Sequence, residues 1–239
     1  MEYFYAPREN ISQESIKIEG EEFKHLVHVM RRKEGDTIRV VNGEGTAYDV
    51  TIINVRKKMA VGRIDGIMEG WNESSIDVTM GVGILKNPSK FDFLVEKVTE
   101  LGVKNIIPMT TERTIPHHTK VERWRKLALA AMKQSGRSYL PRVDNLVALP
   151  DVLKTVRPYD LSMVCHESAA VTRTISEVFP RASVRKDKSV LTLIGPEGGL
   201  SEEEYAECLA AGCIGVTLGP RRLRTETAAV AAAALILQQ

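Results

Sequence analysis

Two stretches near the C-terminal end of the sequence each combine an apolar run, a glycine-containing turn and a helix start. In the first, Val190–Ile194 is a β-branched apolar run of the kind that forms buried strands. Residues 195–199, Gly-Pro-Glu-Gly-Gly, follow it and permit sharp turns and close backbone approach. Ser201 and Glu204 then match the capping box that begins a helix. This order of features predicts backbone N–H groups around a concavity in which a ligand can dock.

The second stretch repeats the pattern closer to the end of the chain. An apolar run over Ile214–Leu218 is followed by a turn at Gly219 and Pro220, a basic loop and a helix. Either stretch alone is equally typical of an ordinary connection between a strand and a helix. Their occurrence as a pair within one α/β pattern favours a shared ligand site.

From Ile76 onward, strand-like and helix-like segments alternate, which predicts an α/β fold with a parallel sheet covered on both faces. Asn87 is the predicted N-cap of one helix, which Gly102 ends. Thr225–Leu237 is the predicted final helix. Because its run from Ala228 is apolar on all sides, we expect it to be buried in a core or in a dimer interface.

Residues 1–70 are predicted to form a separate β-rich module. Glu21–Arg32 has the spacing of a short amphipathic helix, which Gly35 ends. Three strand-like runs with short hairpin connections follow, over Thr37–Val41, Tyr48–Val55 and Met59–Ile64. This pattern indicates a small barrel of the size used for RNA-binding accessory modules. The polar, turn-rich residues 66–75 are the predicted linker.

The charge of the chain is balanced overall but not locally. The formal net charge is +2, so total charge does not indicate a nucleic-acid partner. The stretch from Arg113 to Arg142, called the basic stretch below, contains eight Lys or Arg and one acidic residue, Glu122. Such a segment is typical of a nucleic-acid footprint, and also of a solvated helix face.

Cysteine and histidine are the residue types from which a metal site could be built. The cysteines are Cys165, Cys208 and Cys213, and the histidines that lie close to one another in the sequence are His25 and His28, and His117 and His118. Neither CxxC spacing nor an acidic partner at ligand spacing accompanies them, so no metal site is predicted. The odd number of cysteines indicates a reducing compartment. The N-terminus lacks a signal-peptide pattern and the longest apolar run is too short to cross a bilayer, so we expect a cytoplasmic protein with no membrane partner.

Residues 81–86 argue against a nucleotide-binding fold of the Rossmann type, because they match its glycine motif only in part. Gly81 and Gly83 match the first two glycines of a GxGxxG turn, but Lys86 stands at the position of the third. The two glycines therefore predict a close-packed strand.

Several motifs together resemble a known family. They are Glu96–Val103, Thr111–Arg113, Gln134–Arg137, Gly195–Gly199 and Leu218–Ala228. They resemble the RsmE family of ribosomal RNA methyltransferases, in the SPOUT superfamily, over nearly the whole chain. The resemblance implies a PUA-like β-barrel RNA-binding domain over residues 1–70. It also implies a SPOUT methyltransferase domain over residues 71–239, an α/β fold whose parallel sheet carries a C-terminal trefoil knot. Knots are rare in proteins, and periodicity alone does not predict one.

The activity implied by the resemblance is transfer of a methyl group from S-adenosylmethionine to N3 of a uridine in 16S ribosomal RNA. A homodimer would act in maturation of the small ribosomal subunit. The alternative is a non-catalytic RNA-binding or ribosome-assembly protein that retains the fold. The intact glycine-rich loops favour the enzyme, because a pure binder has no need of a cofactor pocket. The general base, the target nucleotide and the choice between free RNA and an assembled subunit stay open.

The resemblance also implies site residues. Cofactor contacts are expected from His166, Leu193, Gly195, Pro196, Glu197, Gly198, Gly199, Leu218, Gly219, Leu223, Arg224 and Thr225. RNA contacts are expected from Arg8, Arg31, Arg32, Lys86, Arg113, Arg123 and Arg137.

Methylation at uracil N3 requires that a weak acid lose its proton and that nitrogen, methyl carbon and sulfur be aligned. Glu197 and Glu226 are the carboxylates in the two loops and are candidate bases, although each is also typical of a structural cap. Arg137, Arg222 and Arg224 are candidates for stabilising negative charge on the uracil carbonyls. The predicted catalytic set is therefore Arg137, Glu197, Arg224 and Glu226.

Overall fold

The computed structural model describes residues 2–115, 119–167, 171–180 and 188–237 and divides into two compact units. The first spans Met1–Glu73 and Leu129–Leu140, and the second spans Ser74–Ala128 and Pro141–Gln239. The histidine pair at positions 117 and 118 lies outside the described residues.

Within the described residues, the first unit is a curled sheet of five strands. These are β1 (Tyr3–Tyr5), β2 (Ser15–Glu19), β3 (Thr37–Val41), β4 (Thr46–Val55) and β5 (Met59–Glu69). Their order is β1-β3-β4-β5-β2, with β1 and β3 parallel and the other neighbours antiparallel. Two register shifts interrupt the β4–β5 ladder, and irregularities of this kind increase the local twist. Closure into a barrel stays a prediction.

The three predicted strands of this unit are confirmed, and two of them are longer than predicted, because β4 already starts at Thr46 and β5 runs past Ile64. Strand β5 continues to Glu69 because Thr46, at the start of β4, pairs with it. Residues 66–69 are therefore strand, and the prediction of a linker over them is wrong. Alternation places Ile38 and Val40 of β3 in the core of this unit, together with Phe4.

The predicted helix of the first unit is present in two parts. Helix α1 (Gly20–Lys24) continues as a π-helical turn over His25–Val29. The helix ends before Arg31, whose positive φ of 53° leaves the helical region, rather than at Gly35. Phe23 and Leu26 face the core of the unit.

Residues 129–140 complete the first unit from a distant part of the sequence. Met132 is fully buried and packs with Val41 and Ala47. The Asn72 side-chain amide donates a hydrogen bond to the Gly136 carbonyl at 3.0 Å. Sequence spacing gave no indication of this association, because it joins segments far apart in the chain.

The second unit contains a parallel sheet, as predicted. Its described strands are β6 (Ile76–Gly83), β7 (Asn105–Thr110), β8 (Arg142–Val143), β9 (Val147–Ala148), β10 (Leu161–Cys165), β11 (Lys188–Ile194) and β12 (Ile214–Val216). The strand order is β12-β10-β11-β6-β7-β8, and β9 also pairs with β7. All of these pairs are parallel.

The helices after β6 include those whose caps or bounds the sequence predicted, and also a short helix over Leu149–Leu153 that was not predicted. They are α2 (Pro88–Leu101), α3 (Val121–Ser135), α4 (Leu149–Leu153), α5 (Ile175–Val178), α6 (Glu202–Ala210) and α7 (Thr225–Leu237). The Asn87 side chain accepts a hydrogen bond from the Ser89 N–H at 3.0 Å. Gly102 ends α2 with a positive φ of 116°. Both predicted caps of this helix are confirmed.

Helix α7 packs against α2, β6 and β11. Ala229, Ala232 and Ala233 are fully buried. Leu235, however, is 41% exposed. The face that carries Leu235 is therefore not buried within the chain, and its burial in a dimer interface, the other predicted environment, stays a prediction.

The close-packed strand predicted at Gly81 and Gly83 is confirmed in β6. A Cβ on Gly81 would lie 2.7 Å from Cδ2 of Leu193, and one on Gly83 would lie 2.5 Å from the backbone nitrogen of Pro196. Neither position can hold a larger residue unless its neighbours move.

Candidate active site

The carboxyl ends of β10, β11 and β12 are neighbours at one edge of the parallel sheet. They lead into His166, residues 195–201 and residues 217–224, respectively. In open parallel sheets, this edge is where ligands bind. The topology thus brings together the three segments for which cofactor contacts were predicted.

The loop over residues 195–201 has a shape that depends on glycine. The Gly199 N–H donates to the Pro196 carbonyl at 2.9 Å, which closes a tight turn. Gly199 has a positive φ of 71°, a conformation that other residues adopt at a cost. A Cβ on Gly195 would lie 2.9 Å from the backbone nitrogen of Leu200, so this loop folds directly back on itself.

Side chains from other segments fix the same loop. The Thr225 hydroxyl, at the start of α7, donates to the Gly195 carbonyl at 3.1 Å and so joins the two glycine-containing stretches. The Arg113 guanidinium donates to the Gly198 carbonyl at 2.9 Å. At the end of the loop, Ser201 and Glu204 form the predicted capping box.

The two candidate bases have different surroundings. Both carboxylate oxygens of Glu197 accept from the Lys86 backbone N–H, at 3.1 and 3.3 Å, which is the behaviour of a cap. Glu226 is 9% exposed and its Oε1 lies 3.4 Å from Nζ of Lys90. Its Oε2 is buried with no hydrogen-bond partner in the described structure.

An aromatic pair lies beside the end of β10. The His166 ring stacks on Tyr205 with 4.2 Å between ring centroids, and the backbone N–H of His166 donates to the Val216 carbonyl at 3.1 Å. Burial raises the pKa of the Tyr205 phenol above its usual value. A Cβ on Gly215 would lie 2.0 Å from the Tyr205 oxygen, so glycine at that position leaves space for the phenol.

The loop after β12 is more open. Gly219 has a positive φ of 106°, and its N–H donates to the Thr217 hydroxyl at 3.2 Å. Leu218 and Leu223 are half-buried, whereas Arg224 is exposed. Among the other predicted loop arginines, Arg222 pairs through Nε with Glu167 Oε2 at 2.9 Å.

These loops fit the requirements of S-adenosylmethionine. An added Cβ at Gly199 or Gly219 would meet nothing within 4 Å, so the backbone at both positions borders open space. Leu218 and Leu223, which are half-buried, add apolar surface nearby in the chain, whereas the predicted contact residue Leu193 is fully buried in the core. Backbone donors and acceptors beside apolar side chains suit an adenosine, and no metal ligand is required.

Carboxylates neutralise most of the basic stretch, and four of the five acidic partners lie outside it. In the described structure, five of its basic side chains pair with carboxylates: Arg123 with Asp92, Arg125 with Glu122, Lys133 with Glu22, Arg137 with Glu73 and Arg142 with Asp144. The sequence therefore suggested a more positive surface than the folded chain has, because acidic residues outside the stretch pair with its basic side chains. Coulombic pairing depends on distance in space rather than on sequence separation.

Arg137 is the clearest case. It is 2% exposed, and its Nη2 donates to Glu73 Oε2 at 2.7 Å. Glu73 Oε1 also accepts from the Ser138 and Tyr139 N–H groups, at 3.0 and 2.9 Å. In this structure Arg137 has no exposed guanidinium edge for RNA or substrate, so the predicted catalytic and RNA-binding roles gain no support. The contacts are those of a structural ion pair in the first unit.

The other predicted RNA contacts are more accessible. Arg8 and Arg31 in the first unit, and Lys86 and Arg113 in the second, are exposed. Arg32 is half-buried, and its Nε is buried with no hydrogen-bond partner in the described structure.

Three residues that contact the site elements were not predicted for it: Lys90, Glu112 and Tyr205. Each acts through a long-range contact, with Glu226, Glu204 and His166, respectively. A single sequence carries no local signal for the pairs of Lys90 and Tyr205, whereas Glu112 lies within the Thr111–Arg113 motif. Over the described residues, no group of three or more His, Cys, Asp or Glu could hold a metal ion, and none of the helices is long and apolar enough to cross a bilayer.

Comparison with known proteins adds independent findings. A family model described as RNA methyltransferase domain matches residues 72–237, and one described as RNA methyltransferase PUA domain matches residues 18–65. The ribosomal RNA small subunit methyltransferase E of Bacillus subtilis is 31% identical over 235 residues, which cover 94% of this chain and 90% of that protein.

Two solved structures are similar over almost their full length. One is a ribosomal RNA small subunit methyltransferase E from Neisseria gonorrhoeae bound to S-adenosyl methionine, with a TM-score of 0.85, 29% identity and coverage of 100% of this chain and 97% of that one. The other is a Legionella pneumophila protein, described as a methyltransferase, in complex with the cofactor SAM. Its TM-score is 0.81, at 28% identity and coverage of 98% and 96%.

Proposed function

The chain belongs to the ribosomal RNA small subunit methyltransferase E family, and from this premise we propose that it methylates N3 of a uridine in 16S ribosomal RNA. S-adenosylmethionine is the proposed methyl donor, and the proposed setting is maturation of the small ribosomal subunit in the cytoplasm. The observation that carries the proposal is the convergence of three loops at the carboxyl ends of β10, β11 and β12. The Thr225–Gly195 hydrogen bond joins two of them.

When bound, the cofactor supplies an electrophilic methyl group on a sulfonium sulfur. We propose that the backbone of residues 195–199, Leu218 and Gly219 holds it, with Leu193, Leu223, Arg224, Thr225 and His166 around it. The glycines suit this role because their backbone borders open space, and Thr225 suits it because it fixes one loop to the other.

The remaining chemical task of the chain is to take up the N3 proton and stabilise charge on the uracil. Glu226 is the stronger candidate base, because one of its oxygens has no hydrogen-bond partner in the described structure, whereas both oxygens of Glu197 accept from Lys86. Arg224 is the candidate for charge stabilisation, because it is exposed beside the loop after β12.

Replacing each carboxylate with its amide separates the two candidates. We expect Glu226→Gln to lower the single-turnover rate by about 10²-fold or more, the range of general base catalysis, while cofactor affinity changes little. Glu197→Gln should mainly lower the affinity for the cofactor, because it weakens the bond from the Lys86 N–H that holds the loop over residues 195–201. The opposite pattern would assign the base to Glu197.

RNA contacts are proposed for Arg8, Arg31 and Arg32 in the N-terminal module, residues 1–70, and for Lys86, Arg113 and Arg123 in the methyltransferase module, residues 71–239. Exposure supports Arg8, Arg31, Lys86 and Arg113 most directly. Arg137 is proposed instead as a structural residue. A C-terminal trefoil knot and a homodimer complete the proposal. Both rest on family membership.

The test is transfer of a labelled methyl group from S-adenosylmethionine to small ribosomal subunits that lack their own modifications, followed by digestion and identification of the labelled nucleoside. Label in 3-methyluridine is the expected result. Label in another nucleoside would overturn the proposed target atom. Absence of both label and cofactor binding would favour the non-catalytic RNA-binding alternative.

A further inference from the structure

The Glu204 carboxylate bonds to two segments that are far apart in the sequence. Its Oε2 accepts from the Ser201 N–H at 3.0 Å, as the capping box requires. Its Oε1 accepts from the Glu112 N–H at 2.7 Å. Glu112 is the second residue after β7 and lies in a turn that the Thr114 N–H closes by donating to the Thr111 carbonyl at 3.0 Å.

Sheet topology gives this second bond its importance. Strands β7 and β11 are not neighbours, because β6 lies between them. No ladder hydrogen bond can therefore join their carboxyl ends, and side chains must make the connection. Arg113 provides a parallel link through the Gly198 carbonyl at 2.9 Å, and a Cβ on Gly198 would lie 3.1 Å from Cβ of Arg113.

We propose that Glu204 is a positioning residue that fixes the glycine-rich loop, residues 195–201, to the turn after β7. The inference rests on the proposed function in assigning this loop to the cofactor. Both oxygens of the carboxylate are used, each by a backbone N–H, and bonds of this kind to an ionised group are stronger than neutral ones. The two donors bond to different oxygens, and a glutamine has an oxygen at only one of these two positions, so its NH2 group would face the other N–H donor.

The test compares Glu204→Gln with Glu203→Gln as a matched control. Glu203 lies in the same first turn of α6, is exposed and forms no ion pair or side-chain hydrogen bond within the described residues. Both changes remove one negative charge from the same helix start. Any difference between them therefore reports the bonds of Glu204 rather than the interaction with the helix dipole.

Hydrogen exchange of backbone amides, measured by mass spectrometry on the free protein, reports how often the loop over residues 195–201 detaches and opens. We expect peptides covering residues 195–201 to exchange at least about tenfold faster in Glu204→Gln than in Glu203→Gln, because the loop opens locally more often. Equal exchange in the two variants would overturn the proposal, whether or not the wild-type protein binds the cofactor.

Cofactor titration and steady-state kinetics provide the functional readout. In Glu204→Gln, the dissociation constant and KM for S-adenosylmethionine should rise roughly tenfold, whereas kcat at saturating cofactor should change less than about threefold. Arg113→Met, which removes the parallel link, should also raise both constants. A fall in thermal stability with an unchanged dissociation constant would reduce Glu204 to a helix cap and overturn the proposal. Faster loop exchange in a protein that binds no cofactor would uphold the anchoring and refute the proposed function instead.

Discussion

Replacing Arg137 with methionine should destabilise the first unit strongly. The side chains of Arg137 and Glu73 are 3% and 6% exposed, so each charge is removed from water and depends on the other. Removing one partner of a buried pair typically costs about 3–5 kcal/mol, because an uncompensated charge remains. Since Glu73 keeps two backbone N–H donors, from Ser138 and Tyr139, we expect about 3 kcal/mol, at the lower end of that range.

The assay is urea unfolding, monitored by the fluorescence of Trp71 in the first unit. A Trp124→Phe background removes the other tryptophan of the chain, so that the signal comes from the first unit alone. With a urea dependence of about 2 kcal/mol per M, a loss of 3 kcal/mol lowers the midpoint by about 1.5 M. Lys24→Met is the control in the same unit. It breaks an ion pair whose side chains are 63% and 87% exposed, and should leave the urea midpoint close to that of the wild type.

A double variant tests the physical reason. If the cost comes from the unpaired carboxylate, adding Glu73→Gln to Arg137→Met should recover about half of the lost stability, because the neutral amide still accepts from the backbone N–H groups. An Arg137→Met protein with a wild-type midpoint would refute this reasoning. If that stable protein also lost turnover, the catalytic role predicted from sequence would be restored.

Three further outcomes are expected. Gly83→Ala should weaken cofactor binding in titrations, because the added Cβ would displace the loop after β11. Gly66→Ala is the control and should leave the affinity unchanged, because its added Cβ would lie 3.8 Å from its nearest neighbour. Equal cofactor affinities in the two variants would contradict this prediction. Burial raises the pKa of Cys208 to about 12 and of Cys213 to about 11, so at pH 8 both thiols stay protonated. They should resist iodoacetamide until the protein unfolds, and rapid labelling of the native protein would show that they are accessible. Asn87→Ala removes the cap of α2 and should lower the free energy of unfolding by about 1 kcal/mol in urea titrations; no change would show that water caps this helix equally well.

The sequence predicted those features that depend on neighbours in the chain. The bounds of α7, the caps of α2 and the capping box at Ser201 all follow from periodicity and from hydrogen bonds within a few residues. The parallel sheet followed from the alternation of strands and helices. Very short strands such as β8 and β9 were missed, because two residues carry no periodicity.

Tertiary structure decided which distant groups meet. Glu204 could be identified as a cap from its spacing to Ser201, but its bond to Glu112 exists only because the sheet places β7 and β11 on either side of β6. Arg137 belonged to a basic stretch in the sequence and became half of a buried ion pair once residues 129–140 joined the first unit. Local hydrogen bonding is determined by residue spacing along the chain, whereas packing and Coulombic pairing depend on separation in space, which only the folded chain determines.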